Sequence, residues 1–249
     1  DLAHDYLSAR QFVPLGIGYL ASYSNSIFGE KVEFHLFKSV DQLLDKSEAC
    51  EPDLVGFANY TWNERLNAFA GGRLRKRFPE LPIIMGGPNI DTDEKGIGEF
   101  LGIYPFVDVY CIYNGEISFS NIIQHCLKNP TKKNQVEMLR SVPIPGGYSL
   151  FEGDLRGSPN NSEVKDLDFI PSPYLTGILD PFLKEGFIPL IETNRGCPFL
   201  CTFCVWGVAA LNKIQQFSMD RVYRDLDYVT QIGENYPQLV FADANFGIL

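Results

Sequence analysis

Asn194-Arg195-Gly196-Cys197-Pro198-Phe199-Leu200-Cys201-Thr202-Phe203-Cys204 sets three cysteines in the spacing CxxxCxxC. Thiolates are the usual protein ligands of iron–sulfur clusters, and three from one short loop can reach a single small cluster. Three ligands leave one of four metal positions open. A catalytic metal site keeps such a position, whereas a structural site is closed. A zinc knuckle would want a fourth Cys or His close by. None follows: His4, His35 and His125 lie far upstream, and no cysteine comes after Cys204. A disulfide reading needs an oxidising compartment and leaves one thiol of the triplet unpaired.

The flanks of this loop read as β-loop-α-β. Ile188 to Thr193 is a strand that delivers the loop. Asp220 to Ile232 is a helix with Val222, Leu226 and Val229 on one stripe, Ser218 as N-cap and Gly233 as stop. Leu239 to Ala242 is the next strand.

The cysteine loop, including the aromatic Phe203 before its last cysteine, resembles the signature of radical S-adenosylmethionine enzymes. The resemblance implies that Cys197, Cys201 and Cys204 hold a 4Fe-4S cluster. It implies that the open iron chelates S-adenosylmethionine, and that one electron cleaves it to a 5′-deoxyadenosyl radical. It also implies that residues 188–249 open a (β/α) barrel. A full barrel of this kind takes about 250 residues, so the barrel is expected to be truncated here. Members of the family often carry Gly-Gly-Glu after the second strand, to hold the S-adenosylmethionine amino group. This chain has Asp243-Ala244-Asn245-Phe246 there, which makes Asp243 the candidate, with Phe203 as a second cofactor-binding residue. Turn capping is the other reading of Asp243. Arg195 is read either as a carboxylate partner or as a structural ion-pair residue.

Upstream, short apolar runs alternate with helical patterns. Val32 to Phe37 is β-rich. Asp53 to Ala58, Leu81 to Met85 and Phe106 to Ile112 are continuous apolar strands. Asn63 to Phe78 has helical spacing, with Leu66, Phe69, Ala70 and Leu74 on one face, and Ile117 to Leu127 is the last helix of this part. Such strands separated by helices predict a parallel sheet covered on both faces. The three strands are followed by Asn59-Tyr60-Thr61, Gly86-Gly87-Pro88-Asn89 and Asn114-Gly115-Glu116. In a parallel sheet those turns share the rim where ligands of open α/β folds bind. Gly16-Ile17-Gly18-Tyr19-Leu20-Ala21 fits a dinucleotide fingerprint, but no strand precedes it and no ribose-binding acid follows, so it is discounted.

Pro14-Leu15-Gly16 before a helix, Asp53-Leu54-Val55-Gly56, Gly86-Gly87-Pro88 and Asn114-Gly115-Glu116 together resemble the cobalamin-binding domain that precedes the cluster domain in one radical S-adenosylmethionine subfamily. This resemblance implies a Rossmann-like sheet over residues 1–126. It implies cobalamin contacts from Pro14, Leu15, Gly16, Asn59, Tyr60, Thr61, Gly86, Gly87, Asn114, Gly115 and Glu116. The usual first strand before Pro14 is absent or reduced, and the DxHxxG motif that supplies a lower cobalt ligand elsewhere is missing. Cobalt is therefore expected to have no protein histidine. His35 is placed inside a strand and His125 at the end of a helix.

Residues 127–187 read as a connector rich in Pro and Gly, with a hairpin turning at Glu152-Gly153-Asp154. Phe151, Phe169, Ile170 and Tyr174 are costly to leave in water, so this segment is expected to pack. Residues 188–249 complete an α/β chain of three segments. The net charge of −10 disfavours nucleic acid as a partner. No run of about 18 apolar residues predicts a membrane span, and no signal-peptide pattern opens the chain. Six sparse cysteines suit a reducing cytoplasm. Position 1 is Asp rather than Met, and the sequence stops just after a strand. It therefore reads as a fragment of a longer enzyme, inactive by itself.

The family implies methyl transfer to an unactivated carbon of a small molecule through methylcobalamin, with an external electron donor such as a flavodoxin or ferredoxin. Radical cyclisation or rearrangement stays open. A methylthiotransferase would call for a second cysteine set, and Cys50, Cys111 and Cys126 have no close spacing. A cobalamin-binding or redox-sensing module is the non-enzymatic alternative.

Overall fold

The structure is a computed structural model that describes residues 1–4, 11–129, 132–158, 164, 166–207, 211–232 and 238–248. Two compact units share the chain, and both are discontinuous in sequence: residues 1–7 with 35–162, and 8–34 with 163–249. The expected stop at Gly233 lies outside the described residues.

The first unit is built on a five-stranded sheet in the order β1 (Val55–Ala58), β2 (Ile83–Gly86), β3 (Val109–Cys111), β4 (Gly147–Phe151), β5 (Asp154–Gly157). β1, β2 and β3 are parallel; β4 and β5 pair antiparallel. The sheet is therefore mixed. The reason is local: Gly153 at φ +87° lets the expected hairpin turn, and β4 adds directly to the open edge of β3. Helices α2 (Val40–Cys50), α3 (Glu64–Arg77), α4 (Glu94–Ile103), α5 (Gly115–Lys128) and α6 (Lys132–Ser141) complete the unit. Val55, Phe57, Ile83, Met85, Tyr110, Leu74, Ile97 and Leu101 form its core.

Two expectations fail here. Val32 to Phe37 forms no strand, so His35 sits in an irregular segment rather than inside one. On α3, Phe69 is 53% exposed, while Asn67, Ala70, Gly71 and Leu74 are buried. The inward face is set by two residues that hydropathy overlooks. Asn67 Nδ2 donates to Ala58 O at 3.0 Å. A Cβ on Gly71 would lie 2.3 Å from the Phe106 ring, so only glycine lets the helix approach that closely.

The second unit holds α1 (Leu15–Phe28), α7 (Asp180–Lys184), β6 (Leu190–Ile191), β7 (Asn194–Arg195), β8 (Gln215–Gln216), α8 (Met219–Ile232) and β9 (Val240–Phe241). β6 and β9 are parallel, with Leu190 opposite Val240 and Ile191 opposite Phe241. This is the expected β-loop-α-β order. Ser218 Oγ accepts from the Arg221 N–H at 3.2 Å, as an N-cap should.

Helix α1 belongs with this unit because its small residues make room for the segment expected to be a connector. A Cβ on Gly18 would lie 3.1 Å from Leu179 and Pro173, and Ser22 Oγ donates to Pro171 O at 2.7 Å. The second glycine of the fingerprint-like stretch thus serves helix packing. Before α1, Phe12 makes a single parallel bridge to Ile188, in place of a strand.

Candidate functional site

The rim of the first unit is defined by register. Ala58 pairs with Gly86 and Gly86 with Cys111, so the three parallel strands end in one row. Asn59-Tyr60-Thr61, Gly86-Gly87 and Asn114-Gly115-Glu116 all follow that row, as the sequence predicts. Pro14, Leu15 and Gly16 begin α1 and belong to the other compact unit.

Much of this rim is closed on itself. Asn59 is fully buried; its Nδ2 donates to Asn89 O at 2.9 Å and to the Tyr110 hydroxyl at 3.2 Å. Tyr110 in turn donates to Gly87 O at 2.8 Å. Asn63 accepts from the Tyr60 N–H at 2.8 Å and donates to Ala58 O at 2.9 Å. Gly87 has φ +129°, and a Cβ there would lie 2.4 Å from Asn59 O. Its glycine is therefore demanded by the neighbouring turn, which is a fold requirement rather than an opening kept for a ligand.

Glu64 fastens the second turn. It accepts from Asn89 Nδ2 at 2.9 Å and from the Tyr104 hydroxyl, and these bonds hold its carboxyl below the usual range. The exposed parts of the rim are Thr61, Trp62, Pro88 and Tyr113. Trp62 stacks on Tyr60 with centroids 4.4 Å apart. Tyr113 adopts φ +56°, an uncommon conformation for an aromatic residue. Trp62 and Tyr113 are absent from the sequence-derived set because neither falls inside a glycine- or asparagine-marked turn. One polar atom of the rim has no partner among the described residues: the buried Asn59 Oδ1.

The cysteine loop leaves β6 and returns through β8, with β7 and β8 antiparallel. Gly196 has φ +99°, and a Cβ there would lie 2.2 Å from Lys213 O, so the loop entry requires glycine. The Cys197 N–H donates to Leu211 O at 3.0 Å. Cys197 is buried, Cys204 half-buried and Cys201 exposed. Phe199, Leu200 and Phe203 are 55%, 64% and 91% exposed. Among the described residues no three His, Cys, Asp or Glu side chains converge enough to hold a metal ion.

Asp243 follows β9 and binds the entry of this loop. Its carboxylate accepts from the Thr193 N–H at 2.7 Å, the Asn194 N–H at 3.2 Å and the Thr193 hydroxyl. Two residues on, Asn245 Nδ2 donates to Cys197 Sγ at 2.8 Å. Arg195 pairs with Glu192 at 3.0 Å and lies 5.0 Å from the Tyr19 ring centroid, which is the structural ion-pair reading.

Three parallel strands ending in a ligand-type rim and a β-loop-α-β unit carrying CxxxCxxC are the two halves of the resemblance read from the sequence, and comparison with known proteins bears that resemblance out. No family profile matches the chain. The chain is 28% identical over 255 residues to the cobalamin-dependent radical SAM methyltransferase TokK of Streptomyces tokunonensis, covering 98% of this chain and 35% of TokK. The apo structure of the cobalamin-dependent S-adenosylmethionine radical enzyme OxsB superposes with a TM-score of 0.70 at 19% identity, over 99% of this chain and 33% of OxsB. TsrM of Kitasatospora setae, solved with cobalamin and a [4Fe-4S] cluster bound, gives a TM-score of 0.59 at 15% identity, over 98% of this chain and 47% of TsrM. The chain thus spans about a third of the length of TokK.

Proposed function

We propose that this chain is the cobalamin-binding and cluster-binding part of a radical S-adenosylmethionine methyltransferase acting on a small molecule. The observation that carries this reading is the similarity to TokK over 98% of the chain, with CxxxCxxC placed on the loop after β6. Residues 1–126 are assigned to cobalamin binding, 127–187 to connection, and 188–249 to the start of the barrel. A donor such as a flavodoxin or ferredoxin would supply electrons, and the cytoplasm would be a suitable compartment. Among the described residues no helix is long and apolar enough to cross a membrane.

Cys197, Cys201 and Cys204 are the proposed ligands of a 4Fe-4S cluster. The donor set fits in kind: three thiols on one loop, and an amide N–H already directed at one sulfur. Convergence of the three sulfurs is left to the bound cluster. Asp243 fixes the loop entry against the end of β9; its remaining acceptor capacity is the proposed contact for the S-adenosylmethionine amino group. Phe203, 91% exposed, is assigned to cover the bound nucleoside.

The rim residues Asn59, Tyr60, Thr61, Gly86, Asn114, Gly115 and Glu116 are assigned to cobalamin. Asn59 Oδ1 supports the fit, because a buried acceptor without a partner costs about 1–3 kcal/mol unless a ligand donor meets it. When bound, these cofactors supply the hydrogen-abstracting radical and the methyl group. The protein binds, orients and shields them.

His125 lies in the last turn of α5, whose first turn is at the rim, so about 15 Å of helix separates it from the corrin site. Titration with hydroxocobalamin tests the assignment. A base-off spectrum is expected, unchanged in His35→Ala and His125→Ala. No spectral change on titration, or a signal lost with either histidine, rejects the site.

A further inference from the structure

We infer that Asn245 is a positioning residue for the cluster: its side-chain amide donates to Cys197 Sγ and so raises the reduction potential of the iron–sulfur group which that sulfur holds. This rests on the reading of Cys197, Cys201 and Cys204 as cluster ligands.

The contact is short, and the backbone on each side of it is anchored. Nδ2 lies 2.8 Å from Sγ. Cys197 is 8% exposed, the buried member of the three, and its own N–H is committed to Leu211 O at 3.0 Å. Asn245 is half-buried and follows a segment pinned by Asp243, which accepts from the Thr193 N–H at 2.7 Å and the Asn194 N–H at 3.2 Å. The backbone of Cys197 and the segment leading to Asn245 are thus held by bonds independent of the one between the amide and the sulfur.

The chemical consequence follows from charge. Asn offers two N–H donors and carries no charge of its own. Toward a thiolate the bond becomes charge-assisted, and burial strengthens it. An electron entering the cluster spreads negative charge onto the ligating sulfurs. The donor therefore stabilises the reduced form more than the oxidised form. Hydrogen bonds to the sulfurs are one of the established controls on such potentials.

The test uses the full-length protein, reconstituted anaerobically as wild type, Asn245→Leu, Asn245→Asp and Asn245→Gln. Iron content is measured first, then the midpoint by redox titration followed by electron paramagnetic resonance. All four should carry the cluster. Asn245→Leu should lower the reduced-to-oxidised ratio at a fixed potential about tenfold, which is about 59 mV for a one-electron couple. Asn245→Asp should lower it at least as far, since a carboxylate accepts but cannot donate. Asn245→Gln should restore most of the loss. A purely structural role would leave the midpoint where it is.

Equal midpoints in wild type and Asn245→Leu, with clusters intact, overturn the inference. Asn245→Asp keeps the side-chain shape and decides the matter if the Leu variant loses its cluster. A wild type without iron rejects the cluster reading itself, and this inference with it.

Discussion

The sheet rim and the cysteine loop solve opposite problems. At the rim, Asn59, Asn63 and Tyr110 are fully buried and bond to one another's turns, so the surface exists before any ligand arrives. In the loop, only the first cysteine is buried. Cys204 is half-buried, and Cys201 faces solvent with three large apolar side chains around it. Backbone amides and carbonyls can build a rim alone, because each turn completes the next. Three thiols cannot build a cluster site without the inorganic core that draws them together. The rim should therefore report on folding, and the loop on cofactor loading.

The largest expected effect tests that division directly. Cys201→Ala should reduce iron bound after anaerobic reconstitution from about four per chain toward zero, as the three-thiolate reading of the loop requires. The urea unfolding of the first unit should not change. Full iron occupancy in this variant would remove Cys201 from the ligand set.

Next comes the end of the sheet opposite the rim. Asp108 is fully buried, with Arg75 at 2.5 Å, Arg140 at 2.8 Å and the Ile83 N–H at 2.7 Å. Burial pushes its carboxyl up, and the two guanidinium groups oppose that shift. Asp108→Ala leaves both arginines without their shared partner and should cost about 3–5 kcal/mol. Denaturant melts of the chain would measure it. A loss below about 1 kcal/mol would mean the arginines find other partners.

Glycine-to-alanine changes separate rim from helix surface. Gly87→Ala meets Asn59 O at 2.4 Å in a positive-φ conformation, so it should destabilise by more than about 1 kcal/mol even without ligand. Gly98→Ala, inside α4 with nothing within 4 Å, should stabilise by roughly 0.5–1 kcal/mol. Thermal melts of the two variants shifting in the same direction would break the argument.

The smallest effect is a difference in reactivity. Burial pushes the Cys111 and Cys126 thiols up to about 12. At pH 8 each is then thiolate in roughly one molecule in 10⁴, and thiolate is the reactive form. Alkylation with iodoacetamide, read by mass spectrometry, should mark exposed Cys201 well before either, and their labelling should rise only as pH climbs toward 12. Early labelling of Cys111 would show that the sheet opens more readily than its burial implies.

The spacing of three cysteines, the apolar strands at 53–58, 81–85 and 106–112, and the turns after them are local features, and local features survive in a sequence. They sufficed for the β-loop-α-β unit, the parallel core and the row of rim turns. What tertiary structure decided was which partners those features meet. Gly87 reads as room for a ligand until Asn59 is seen to occupy that room. Phe69 reads as a core residue until Asn67 and Gly71 turn α3 toward Ala58 and Phe106. Helix α1 reads as part of the first domain until Gly18 and Ser22 are seen packed on Pro173 and Pro171. Asn245 carries no signal at all, because nothing along the chain says that it ends beside Cys197. Hydropathy and spacing report each residue's own preference. Close approach and hydrogen bonding belong to pairs distant in sequence, and only the folded chain brings those pairs together.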